Sequence, residues 1–153
     1  MSLFFFTFIG FHHDWDTKIY NPKDVSPFPS DLADLSKALL SYASENLSED
    51  YRAEAAIINY YPMDSNLGGH VDYSEPNKNA PLVSISIGQS AIFLIGGPSK
   101  SLEPLPILLQ NGDVVIMTHQ ARQSYHAVPK ILAANEGNLA SYFKSIMSFD
   151  ICI

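Results

Sequence analysis

The chain has 153 residues, the length of one domain, with 46% apolar residues and a formal net charge of −7. The acidic balance, with only two arginines (Arg52 and Arg122), excludes capture of nucleic acid by a broad basic stripe. A single cysteine, Cys152, excludes an internal disulfide framework and fits a reducing compartment.

Leu3 to Phe11 is apolar and aromatic and predicts a strand. Met1 to Phe6 lacks the basic leader and small-residue cleavage site of a signal peptide, and is far shorter than the ~20 residues of a membrane span. No membrane contact is expected. His12 to Pro29 is polar and holds Pro22, Pro27 and Pro29, so it reads as a loop with His12 and His13 solvated in it. Trp15 and Tyr20 would anchor that loop, or offer a stacking surface to a base. Ser30-Asp31 can cap a helix. Leu32, Leu35, Leu39, Leu40 and Ala43 follow at helical spacing and predict an amphipathic helix over 31–46.

From Arg52 the pattern turns to strands. Ala53 to Tyr61 is β-rich, and Pro62 to Gly69 is a loop whose Gly68-Gly69 allows a sharp approach to His70. Leu82 to Gly88 alternates, Gln89-Ser90 is a turn, and Ala91 to Ile95 is the next strand. Leu105 to Leu109 and Val114 to Thr118 flank Asn111-Gly112, a hairpin signal. Tyr125 to Leu132 reads as a strand, and Asn138 to Ile146 as a helix. The whole is mainly β with flanking helices: about eight short strands and a packed helix predict a cupin-like jelly roll, in one domain over 1–153.

The chemistry concentrates in His70-Val71-Asp72 and in His126, which lies 56 residues on. On an extended segment residues two apart point to the same side. Another strand can return His126 to them. Two imidazoles and one carboxylate with coordination positions left open form the facial triad of non-heme Fe(II) oxygenases. Asn59 and Tyr61 are also two apart on one strand, and an amide and a phenol facing the interior can hydrogen-bond a small anion. The blander alternative is that both are core residues. The other candidates are weaker: His119 reads as a loop residue, Glu45, Glu49, Asp50 and Glu54 as solvated surface, and Cys152 has no basic neighbour to activate it.

Several ordered segments resemble the AlkB-type Fe(II)/2-oxoglutarate dioxygenases, in particular the branch around the first AlkB homologue of animals. They are Asp14-Trp15-Asp16-Thr17-Lys18, Pro27-Phe28-Pro29-Ser30-Asp31-Leu32, Ala55 to Tyr61, Asp64 to Asp72, Ser86 to Leu94, Asn111 to Met117 and His126-Ala127-Val128-Pro129. The resemblance runs from about Phe8 to Leu132, with a weaker echo over Ser141 to Lys144. It implies a double-stranded β-helix with Fe(II) held by His70, Asp72 and His126, and 2-oxoglutarate contacted by Asn59 and Tyr61. Arg122 would be a support near the substrate. The implied reaction is oxidative demethylation of nucleobases in methylated tRNA or DNA, with succinate, carbon dioxide and formaldehyde released. Histone is a further implied substrate, and the nucleus, cytoplasm or mitochondrion the implied location.

The sequence also departs from the family. Relatives end on a barrel strand with two arginines, the first clamping the far carboxylate of 2-oxoglutarate, whereas no arginine follows His126 here. A charge-assisted hydrogen bond contributes roughly 1.5–3 kcal/mol, and a loss of ~3 kcal/mol weakens binding about 100-fold. Lys130 or Lys144 would be a point charge without the planar fork. The upstream nucleotide-recognition lid of relatives has no counterpart either. The expectation is therefore a domain incomplete at both ends, its last strand missing and a sheet edge open to self-association. Two further readings stay open: a shortened, non-catalytic metal-binding isoform or pseudo-enzyme, and an unrelated cupin-type binding module.

Overall fold

The structure is a computed structural model and describes residues 5–133 and 148–152. In chain order the elements are β1 (Phe5–Asp14), β2 (Ile19–Val25), α1 (Ser30–Ala43), α2 (Glu45–Ser48), β3 (Ala55–Tyr61), β4 (Leu67–His70), β5 (Leu82–Ile87), β6 (Ala91–Ile95), β7 (Leu105–Leu109), β8 (Val114–Met117), β9 (His126–Ile131) and β10 (Ser148–Cys152). A single 3-10 turn, Ala121–Gln123, precedes β9. The strands form a six-stranded sheet, β2-β1-β3-β10-β5-β8, and a four-stranded sheet, β4-β9-β6-β7. All pairings are antiparallel.

The alternation of β5 explains how the layers stack. Leu82 turns inward and joins Tyr61 and Met117 of its own sheet against Ala91, Phe93, Leu109, Val128 and Ile131 of the other. Val83 and Ile85 turn outward and bury Leu40 of α1. Full burial of one such aliphatic side chain is worth about 1.5–3 kcal/mol, so both faces of β5 are fixed by apolar contact. This is the jelly-roll architecture expected from the strand count, with α1 on the outer face of the larger sheet.

Four local expectations are corrected. The segment after Phe11 is a hairpin rather than a loop: β1 continues to Asp14, and β2 returns against it. The Asp14 carboxylate accepts from the Asp16 and Thr17 amides at 2.8 and 3.1 Å and so closes the turn. Pro22 is tolerated because β2 is the edge strand, where a missing N–H leaves no ladder bond unmade. The helix stops at Ala43, with extended Ser44 separating it from the short α2.

Asn111-Gly112 does make a turn, with Gly112 at φ +90°, but β7 and β8 do not pair. The Gly112 amide donates to the Ser86 carbonyl (2.8 Å), and the Asn111 side chain accepts from the Gly88 amide (2.9 Å). The turn is thus tied to the end of β5 and carries the chain from one sheet to the other. Finally, the last strand is not missing. The backbone of β10 lies between β3 and β5 and hydrogen-bonds to both, so no open edge remains at that place. The helix expected over 138–146 lies outside the described residues.

Candidate metal centre and its cavity

β4 and β9 bring the two histidines together. Their register sets His70 directly opposite His126, after a one-residue irregularity between Leu67 and His70. Gly68 and Gly69 occupy that bulge. Neither has a positive φ, so they serve a bulge rather than a sharp turn. The imidazole centroids are 4.3 Å apart. Asp72 follows just beyond β4 and reaches both rings: its carboxylate oxygens lie 3.6 Å from His70 Nε2 and 3.4 Å from His126 Nε2. One ligand atom from each of the three residues falls within 4.8 Å of the others.

The protonation pattern suits a metal. Nδ1 of His70 lies 2.9 Å from the Gly68 carbonyl, and Nδ1 of His126 lies 3.2 Å from the Ser124 carbonyl. A carbonyl only accepts, so each Nδ1 carries the proton and donates. Each Nε2 then presents its lone pair towards Asp72. Backbone carbonyls behind ligating imidazoles are the usual way to fix that tautomer. Burial, then the neighbouring His126, lowers the His70 pKa and favours its neutral, ligating form. Burial alone would raise the Asp72 pKa. When His126 is protonated, its hydrogen bond to the carboxylate and the charges of His126, His70 and Arg122 outweigh that burial, and the carboxylate is held below its ordinary range. Two neutral imidazoles and an ionised carboxylate fit a divalent first-row ion.

The group forms part of the wall of a cavity of about 740 Å³. Asn59 of β3 lines the same cavity. Tyr61, two residues on, is fully buried in the inter-sheet core and is not part of the lining. Lys130, considered above as a stand-in cation, is exposed on β9 away from the cavity. Lys144 lies outside the described residues. His119 is exposed at φ 50°, as a loop residue would be.

The hairpin supplies side chains that the sequence reading placed in solvent. His12 faces outward, 3.0 Å from Asp24 and 3.2 Å from the Ser26 hydroxyl. His13 faces inward and is 5% exposed, edge-on to Trp15 (4.5 Å) and Tyr20 (5.1 Å). Neither ring nitrogen of His13 has a hydrogen-bond partner among the described residues. The signal that could have found it is the two-residue spacing Phe11, His13, Trp15, all of which line the cavity. Glu75 was also missed. It accepts from Arg122 at 2.9 Å and from the Tyr20 hydroxyl at 3.3 Å.

Residues 7–145 match the 2OG-Fe(II) oxygenase superfamily. The chain belongs to that superfamily and is of AlkB type. It is 46% identical over 129 residues to the nucleic acid dioxygenase ALKBH1 of Homo sapiens, covering 84% of this chain and 32% of the relative. It is 41% identical over 131 residues to the tRNA demethylase abh1 of Schizosaccharomyces pombe, covering 85% and 43%. The AlkB-type chain thus spans a third to under half the length of these two curated relatives. The solved structure of OsALKBH1 superposes with a TM-score of 0.80 at 21% identity, covering 97% of this chain and 76% of that one, which establishes the shared fold. No helix among the described residues is long and apolar enough to cross a membrane.

Proposed function

We propose that the chain is a single Fe(II)/2-oxoglutarate-dependent dioxygenase domain that demethylates nucleobases in methylated tRNA or DNA, with histone as a further substrate, inside the nucleus, cytoplasm or mitochondrion. The observation that carries the reading is the convergence of His70, Asp72 and His126 at one cavity, with both Nε2 lone pairs directed at the shared carboxylate. Bound iron would supply oxygen activation coupled to oxidative decarboxylation of 2-oxoglutarate to succinate and carbon dioxide. The N-methyl group gains one oxygen atom, and its C–N bond then breaks to release formaldehyde and the unmethylated base.

The chain's own residues would do the following. His70, Asp72 and His126 hold the ion, and the carbonyls of Gly68 and Ser124 keep both rings oriented. Asn59, with Tyr61 behind it on β3, would orient the cosubstrate. Leu82, Phe93 and Val128 give that end of the cavity an apolar wall that excludes water. His13, Trp15 and Tyr20 offer aromatic surface to a planar base. Lys18 and Arg52 supply positive charge at the same cavity, in a chain whose overall charge repels a phosphate backbone.

A specific observation supports a second reading, a metal-binding domain without turnover. β10 occupies the barrel position between β3 and β5, and it sets Asp150 at the register position opposite Asn59 and Ser86, with no arginine on it. The deciding assay is succinate formation with a methylated tRNA or DNA oligonucleotide. Turnover in the wild type that is lost in Asp72→Ala supports the dioxygenase reading. Succinate at background in both leaves only the second.

A further inference from the structure

Arg122 sits in the 3-10 turn before β9 and is 2% exposed, in the wall of the cavity. Its guanidinium is spent on three oxygens. Nη1 donates to the backbone carbonyl of Asp72 (2.8 Å), Nε to the carbonyl of Ala80 (3.2 Å), and Nη2 to the Glu75 carboxylate (2.9 Å). These acceptors lie 42 to 50 residues away in sequence, all on the segment between β4 and β5. That segment has no regular secondary structure, so its own backbone bonds do little to hold Asp72. The second Glu75 oxygen accepts from the Tyr20 hydroxyl (3.3 Å), which extends the same bridge to β2 of the hairpin.

We propose that Arg122 is a positioning residue for the metal carboxylate: it fixes the backbone at Asp72 so that the side chain is aimed between the two imidazoles, and Glu75 holds the guanidinium in place. His70 and His126 are fixed by a strand pair and by carbonyls behind each ring. Asp72 has neither, and the contact at its own backbone is the Arg122 bond. Arginine suits the task because its planar fork donates in three directions at once, whereas a lysine ammonium acts as a point charge on a flexible stem. This gives Arg122, expected from the family resemblance to be a support near the substrate, a role behind the metal carboxylate.

The inference rests on the metal reading, so the test measures metal affinity directly, without turnover. Mn(II) is titrated into the purified protein under electron paramagnetic resonance, with circular dichroism and thermal melting of the metal-free protein alongside. Partners behind metal ligands typically change affinity 10- to 100-fold. Arg122→Met is expected to weaken Mn(II) binding within that range, and Arg122→Lys to recover part of the loss. Glu75→Gln, which keeps the side chain's size and removes its charge, is expected to weaken binding severalfold. If Arg122→Met does not fold, Arg122→Lys and Glu75→Gln decide alone. Mn(II) affinity within twofold of wild type in Glu75→Gln and in every folded Arg122 variant overturns the positioning role while the metal reading stands. Failure of the wild type to bind Mn(II) overturns both.

Discussion

At the β4–β9 end of the cavity, three donors from two strands and a loop meet within 4.8 Å; a backbone carbonyl lies behind each imidazole, and the Arg122 side chain bonds the Asp72 backbone. At the β3–β10 side, Asn59 lines the cavity, Tyr61 is withdrawn into the core, and β10 brings no arginine. The first region is complete in itself, because its parts come from strand register and short loops. The second, on the proposed reading the cosubstrate side, lacks the last-strand arginine that the family resemblance implies. The proposed function therefore predicts that metal affinity and cosubstrate affinity are separable, each perturbed without the other.

The largest expected effect is at the metal end. His70→Ala or Asp72→Ala removes one of the three candidate donors among the described residues, and divalent-metal binding measured by calorimetry should fall by more than about 100-fold. Retained affinity in either variant would mean the ion sits elsewhere. Next comes Asn59→Ala. A hydrogen bond to a charged group is worth roughly 1.5–3 kcal/mol, so 2-oxoglutarate binding should weaken by about tenfold or more while the metal dissociation constant stays put. Metal affinity that moves in step with cosubstrate affinity would break the separation.

A smaller effect concerns pH. The folded-state pKa values of His13 and His70 are both lowered from 6.5, each chiefly by burial. The unfolded chain therefore binds more protons than the folded one below that value, and stability rises with pH. Metal-free protein should be at full stability above about pH 6.5, and should lose it as pH falls through 6.5 towards the lowered folded values. Melting temperatures between pH 7.5 and 5 check this, and His13→Phe should flatten part of the slope. The smallest effect is none: Lys130→Ala should leave 2-oxoglutarate binding within about twofold, because an exposed charge away from the cavity contributes little.

The metal group was legible in the sequence because His70 and Asp72 are local to each other, and because the strand pattern around His126 made a second strand available to oppose them. β6 was legible to the residue as an apolar run between Gln89-Ser90 and Gly96-Gly97, and β5 nearly so from its alternation. What escaped depends on distant partners. Pro22 and the polar run from His12 argued for a loop, and only the edge position of β2 makes a strand of them. Asn111-Gly112 specified a turn correctly but carried no information about which sheet each flank would join. His13 looked solvated because one of the rings that bury it, Tyr20, arrives by the hairpin's return, while Trp15 follows in the turn. Arg122 and Glu75 lie 47 residues apart, and nothing in the local pattern pairs them.

The most direct test of the central claim is an anaerobic titration with Fe(II) and then 2-oxoglutarate, following the iron-to-ketoacid charge-transfer absorption. One Fe(II) per chain is expected, with a band that saturates with 2-oxoglutarate and vanishes in His70→Ala. Failure to bind Fe(II), or a band unchanged in His70→Ala, would contradict that claim.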